Sequence, residues 1–125
     1  MAKRLDPRVK AMTEEQLQNA IVEFAERSGW VVTFTPDWMK RLAFASMRKS
    51  PRANRKWPKA GTPDLIMAGN GRLVIAELKS HTGKLGPGQD EWLDALRQVD
   101  GVEVFLWKPT DWIDGTIEQT LGRAA

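Results

Sequence analysis

GTPDLIMAGNGRLVIAELKS, residues 61–80, decides the fold. Two apolar runs, DLIMA at 64–68 and RLVIAELK at 72–79, flank Gly69-Asn70-Gly71, and short runs bounded by such residues read as strands joined by a hairpin. Asn-Gly is the preferred pair for a two-residue type I′ turn. Counting outward from Asn70-Gly71 in equal steps places Asp64 opposite Glu77. Directly opposed residues of an antiparallel pair lie roughly 4.5–5.5 Å apart at Cα, with side chains on one face, so two carboxylates are pressed together. Lys79, two residues past Glu77, puts its amine on that face too. A slip of one residue, which Gly69 would allow, undoes the pairing. Leu65, Ile66, Leu73, Val74, Ile75 and Leu78 make both faces apolar, the pattern of central strands covered on both sides. The charges are thus expected at the end of a buried sheet.

Two carboxylates at this spacing share either a proton, with one pKa raised, or a cation. A hard divalent ion is the economical partner, because Mg²⁺ is held by one or two carboxylates together with water and phosphate oxygens. The competing reading is an ion triad in which Lys79 neutralises Asp64 and Glu77. Cysteine is absent and His81 is the single histidine, so any metal must be held by oxygen, which favours Mg²⁺, Mn²⁺ or Ca²⁺ over zinc.

Around this hairpin the chain alternates. Thr13 with Gln16 forms a capping box, and Leu17, Ala20, Ile21, Phe24 and Ala25 recur at helical spacing until Ser28-Gly29, predicting a helix over 14–28. WVVTFT at 30–35 reads as a strand and DWMKRLAFASM as a short helix. Residues 88–99 place Trp92, Leu93, Leu96 and Val99 on one helical face. VEVFLW at 102–107 is a last strand, and PTDWIDGTIEQTL a terminal helix started by Thr110 or Asp111. The expected class is α/β, in the order α-β-β-β-α-β with a closing helix.

The 125 residues, of which 42% are hydrophobic, suit one domain with a core of its own, over 1–125. No apolar run approaches the roughly 20 residues of a membrane helix, and the N-terminus has the charge of a signal peptide without its apolar segment, so a soluble cytoplasmic protein is expected. The net charge of +3 is unevenly spread. Lys40, Arg41, Arg48, Lys49, Arg52, Arg55, Lys56 and Lys59 stand in a stretch without acids, and the rest of the chain is acidic on balance. A basic block at about 37–60 is either a solvated insertion or the footprint of a polyanion, nucleic acid being the commonest. Trp57, among Arg55, Lys56 and Lys59, suits stacking on an exposed base or a small satellite core. Trp30, Trp92 and Trp107 read as core, and His81 as a surface or phosphate contact rather than a general base.

Pro63-Asp64, followed after twelve residues by Glu77-Leu78-Lys79, resembles the PD-(D/E)XK nuclease signature, and the order of elements is similar to that superfamily's core, a central mixed sheet flanked by helices. TEEQLQ, GTPDLI, AELKSHTGKLGPGQDEWLDAL and VEVFLWKPTDW resemble the VRR-NUC family, the virus-type replication and repair nucleases, over nearly the whole chain apart from the basic insertion. The resemblance implies an Mg²⁺- or Mn²⁺-dependent DNA endonuclease of phage or bacterial type, selecting branched or flap structure over sequence in replication, recombination or repair. It implies that Asp64, Glu77 and the Leu78 backbone carbonyl bind metal, that Lys79 serves the attacking water, and that Gln89 orients substrate or water. The family's first-helix Glu falls at Glu14 or Glu15. Helical phase selects Glu14, on the rim of the apolar stripe, as a catalytic residue and further metal ligand. Two-fold branched DNA invites a symmetric homodimer, although no sequence feature marks a dimer face. The alternative is a non-catalytic nucleic-acid-binding, accessory or regulatory protein on a nuclease fold.

Overall fold

The computed structural model describes residues 5–49 and 59–122, with the backbone alone for 44–49. Its elements run α1 (Pro7–Ala11), α2 (Glu14–Arg27), β1 (Val31–Phe34), α3 (Asp37–Lys49), β2 (Leu65–Gly69), β3 (Arg72–Leu78), α4 (Gln89–Arg97), β4 (Val102–Trp107), α5 (Pro109–Ile113) and α6 (Thr116–Gly122). The four strands form one mixed sheet in the order β1-β2-β3-β4, flanked by helices. β1, β2 and β3 are antiparallel neighbours, and β4 joins β3 in parallel after the crossover through α4.

The hairpin has the expected register. Asn70 and Gly71 both take positive φ, 51° and 77°, as a type I′ turn requires, and Gly69 pairs with Arg72 and Leu65 with Ala76. The ladder ends there, and the same register carried one step outward would set Asp64 opposite Glu77. Thr13 caps α2 as expected: its Oγ1 accepts from Gln16 N at 3.1 Å, and Gln16 Oε1 accepts from Thr13 N at 2.9 Å. This reciprocal cap starts the helix at Glu14 and so fixes where the first-turn acids stand.

The core lies on one face of the sheet. Leu65, Met67, Val74, Ala76, Leu78 and Trp107 pack with Leu17, Ile21 and Ala25 of α2 and Ile117 and Leu121 of α6. Each large aliphatic side chain buried there contributes about 1.5–3 kcal/mol. At the end of the hairpin beside its turn, Arg72 grips Glu103 with two hydrogen bonds of 2.7 Å and donates to the Thr120 carbonyl at 2.9 Å. Its guanidinium also lies over the ring of Trp30, whose Nε1 donates to the Leu121 carbonyl at 3.0 Å. This network ties α6 to the sheet.

Several expectations change. β3 is covered on both faces, Val74 to Leu78 being buried throughout, but β2 alternates, with Ile66 40% exposed. α4 packs over β4, and a helix about 10–12 Å across covers only two strands spaced about 4.8 Å apart. Val99 lies in the turn after α4 and is half exposed, because the helix ends at Arg97. The terminal helix divides at Gly115, where φ is 85°. Its first part starts at Pro109 rather than at Thr110 or Asp111: proline suits the first helical position, and Asp111 Oδ2 accepts from Lys108 N at 2.9 Å. α1, unexpected from the sequence, is set by Asp6, whose Oδ1 accepts from Arg8 N at 2.8 Å ahead of Pro7. Among the described residues, no helix is long and apolar enough to cross a membrane.

Candidate active site

The hairpin end far from its turn opens into a cavity of about 550 Å³. The N-terminal turn of α2, the loop after β1, the start of α3, the β2 entry, the β3 exit and the first residue of α4 all line it. Glu14, Lys40, Asp64, Glu77, Leu78, Lys79 and Gln89 meet there, with Glu15, Gln18, Asn19 and Asp37 on the walls.

Asp64 and Glu77 form the floor. Both are buried, at 3% and 1% exposure, and among the described residues they are the buried charged side chains. Asp64 is held from two sides: Oδ2 accepts from Leu78 N at 2.8 Å, and Oδ1 accepts from Lys40 Nζ. Its position is fixed further by Thr35, whose N donates to the Asp64 carbonyl at 3.0 Å and whose Oγ1 donates to the Pro63 carbonyl at 3.0 Å. Asp64 therefore sits between the two strand ends rather than on a free loop.

Glu77 is held more loosely. Oε1 accepts from Gln89 Nε2 at 3.0 Å and lies 3.9 Å from Lys79 Nζ, while Oε2 is buried with no hydrogen-bond partner among the described residues. Burial raises its pKa from 4.5 to about 7. The Lys79 and Lys40 amines oppose that rise, and the Glu14 carboxylate adds to it. A buried carboxylate oxygen without a donor costs free energy, and a cation is one of the few groups that offsets it.

Gln89 reaches Glu77 because two glycines let the backbone cross. Gly61 and Gly88 have φ of 96° and 79°, and a Cβ on Gly61 would lie 2.3 Å from the Gly88 carbonyl carbon. A Cβ on Gly88 would lie 2.4 Å from the Ala60 carbonyl oxygen. The entry to β2 is thus pressed against the start of α4, and Gln89 Oε1 accepts from Gly86 N, which turns its amide nitrogen towards Glu77.

The residues singled out in the sequence divide into three groups. Asp64, Glu77, Lys79, Gln89, Leu78 and Glu14 come together. Glu14 and Glu15 both line the cavity, but only the charge of Glu14 bears on Glu77. The triad around Lys79 is replaced by two separate pairs, Lys40 with Asp64 and Lys79 with Glu77. Of the basic stretch, Lys40 is thereby drawn into the site and Lys59 pairs with Glu91 at 2.9 Å, while Arg41 is exposed on α3. The side chains of Arg48 and Lys49, and all of Arg52, Arg55, Lys56 and Trp57, lie outside the described residues. His81 is half-buried beside a second cavity with Lys10, Thr13, Ser80 and Thr82, which shares Glu14 with the first but is not lined by Asp64 or Glu77. Trp30 and Trp107 are core, and Trp92 is half-buried with its Nε1 enclosed and without a partner among the described residues.

Lys40 at Asp64 is what the sequence did not disclose. No period or motif links residues so far apart, and the surrounding basic run pointed to phosphate instead. Gln18 could have been found, since it stands one helical turn after Glu14 on the same face.

The donor set suits a small hard cation. Among the described residues no three His, Asp or Glu side chains gather as a metal group. Two carboxylates, one with an unpartnered oxygen, still match the habit of Mg²⁺, which completes its shell with water and substrate oxygens. Comparison of the chain with protein-family models, with curated proteins and with solved structures returned no match.

Proposed function

We propose that the chain is a metal-dependent DNA endonuclease of the PD-(D/E)XK kind, as its resemblance to the VRR-NUC family implies, acting on branched or flap structures. The observation that carries the reading is the buried Glu77 carboxylate, with Oε2 unpartnered, set opposite Asp64 at the floor of an open cavity. Asp64, Glu77 and the Leu78 carbonyl would hold the ion, with Glu14 at the rim. When bound there, Mg²⁺ or Mn²⁺ supplies charge neutralisation at a phosphodiester and acidification of a water.

The protein's own groups do the rest. Lys79, with a side chain only 13% exposed, holds its amine beside Glu77 and so faces the attacking water and the negative charge that develops on phosphorus-bound oxygen. Gln89 keeps Glu77 in one rotamer by bonding Oε1. In the hydrolysis a water oxygen forms the new bond to phosphorus and gives up a proton, a phosphorus–oxygen ester bond breaks, and the leaving oxygen takes up a proton, so that protons balance overall. The exposed Arg41 on α3 offers positive charge to a DNA backbone.

One observation favours a second reading. The Lys40–Asp64 ion pair neutralises one carboxylate without metal, as in a nucleic-acid-binding or accessory protein that has no catalytic step. Labelled single-stranded, duplex, flap and four-way DNAs, each incubated with Mg²⁺, Mn²⁺ or EDTA, separate the two. Cleavage that requires metal and is abolished by Asp64→Asn supports the nuclease; binding without cleavage in every metal supports the second reading.

A further inference from the structure

We infer that Lys40 is a tethered counter-ion which occupies Asp64 until a divalent cation displaces it, so that α3 sets the metal affinity of the site. The inference rests on the metal-site reading above. The two floor carboxylates are not equally available. Glu77 presents an unpartnered Oε2, whereas Asp64 has Oδ2 on the Leu78 N–H and Oδ1 on the Lys40 ammonium. A cation bridging the pair must therefore approach Asp64 where a positive charge already stands. Like charges at contact distance in a buried site repel strongly, so metal and ammonium exclude each other at Oδ1.

The two amines differ in how readily they can leave. Lys79 is 13% exposed and continues β3, where its backbone N donates to the Trp107 carbonyl at 3.0 Å. Lys40 is 32% exposed, sits in the first turn of α3 and has a flexible four-carbon stem. It can swing from Asp64 into the open cavity without moving the sheet. A phosphodiester entering with the metal carries a negative charge that the displaced ammonium can meet, so exchange of Lys40 from Asp64 to phosphate would couple substrate entry to metal loading. Free of substrate, the site holds metal weakly and Asp64 remains neutralised.

The test is Mn²⁺ affinity without DNA, read by electron paramagnetic resonance of the free ion at one fixed pH. The proteins are the parent, Lys40→Met, Lys40→Arg, Glu77→Gln and the Lys40→Met/Glu77→Gln double variant. Lys40→Met should bind Mn²⁺ at least tenfold more tightly than the parent, Lys40→Arg should stay within about threefold of it, and Glu77→Gln should abolish binding in both backgrounds. Equal or weaker binding by Lys40→Met, with Glu77→Gln still abolishing it, overturns the counter-ion and leaves the metal site standing. Binding that ignores Glu77→Gln, or is absent throughout, overturns the metal site and the inference with it. Should Lys40→Met fail to fold, the parent decides through its lysine amine resonances. The Lys40 Nζ signal should shift with Mg²⁺ at the concentration that saturates the site, and an unmoved signal at saturation overturns the inference.

Discussion

Gln89 Nε2 donates to Glu77 Oε1 at 3.0 Å and thereby joins the first residue of α4 to the last turn-distal carboxylate of β3, leaving Oε2 of the same group buried without a partner among the described residues. A carboxylate bound at one oxygen and starved at the other is poised between protonation and cation capture. This half-satisfied state, rather than the mere nearness of two acids, gives the site its testable properties.

Glu77 makes stability depend on pH. Burial raises its folded pKa from 4.5 to about 7, so the folded chain holds this proton more tightly than the unfolded one. The associated stability is fully present below pH 4.5 and is lost as pH rises through about 7, a difference of about 3 kcal/mol. Glu77→Gln mimics the protonated form. Its melting temperature should exceed that of the parent at pH 8 by several degrees and match it at pH 5, with DNA cleavage lost at both. Parallel melting curves for the two proteins across this range would remove the raised pKa.

Gln89→Ala takes the amide from Glu77 and also frees Gly86 N. Loss of the donor to a carboxylate should raise the Glu77 pKa further and cost about 1–3 kcal/mol of stability. In thermal melts the alkaline loss of stability should move to higher pH, and cleavage should fall at least tenfold at neutral pH. Gln89→Glu brings a second carboxylate against Glu77 and should be worse than Ala on both measures.

Glu14→Gln and Glu15→Gln should differ although they are neighbours. Both line the cavity, but only the charge of Glu14 reaches Glu77. The first should lower metal-dependent cleavage at least tenfold, the second by less than about twofold. In melts Glu15→Gln should lose a first-turn helix-dipole contribution of about 0.3–1 kcal/mol, whereas Glu14→Gln should lose less, because it also relieves the repulsion of Glu77. Steady-state cleavage of the preferred DNA, with melts alongside, measures both. A larger loss of activity at Glu15 would reverse the helical phase assigned to α2.

Gly61→Ala and Gly88→Ala test the backbone crossing that carries Gln89 to the site. Each adds a Cβ within 2.6 Å of main-chain atoms and strains a positive φ. Either substitution should destabilise the fold by more than about 1 kcal/mol. Gly71→Ala shares the positive φ but meets nothing within 4 Å, so its smaller cost isolates the strain of φ alone. Urea melts of the three variants give the comparison.

The hairpin was legible because its causes are local. Asn70-Gly71 dictates a turn with both φ positive, the turn dictates the register as far as Leu65 with Ala76, and that register brings Asp64 and Glu77, the next residues outward, to one end of the hairpin without information from the rest of the chain. The Thr13–Gln16 cap is local for the same reason, since it follows from spacing within one helical turn, whereas helical phase did not separate the neighbouring acids: Glu14 and Glu15 both line the cavity. Coverage of β2 was misread because an apolar residue such as Ile66 carries no mark of whether a helix will reach it. Lys40 was misread more deeply. Its neighbours Arg41, Arg48 and Lys49 give it the look of a phosphate contact, and its pairing with Asp64 depends on where α3 leaves the sheet, which no residue near it encodes. The contact between Gly61 and Gly88 is likewise invisible in one dimension. Glycine there permits two backbones to touch, but only the packing of α4 against β4 brings them together. Local backbone chemistry thus determined which carboxylates face each other, while the long-range placement of α3 and α4 decided which amine and which amide meet them.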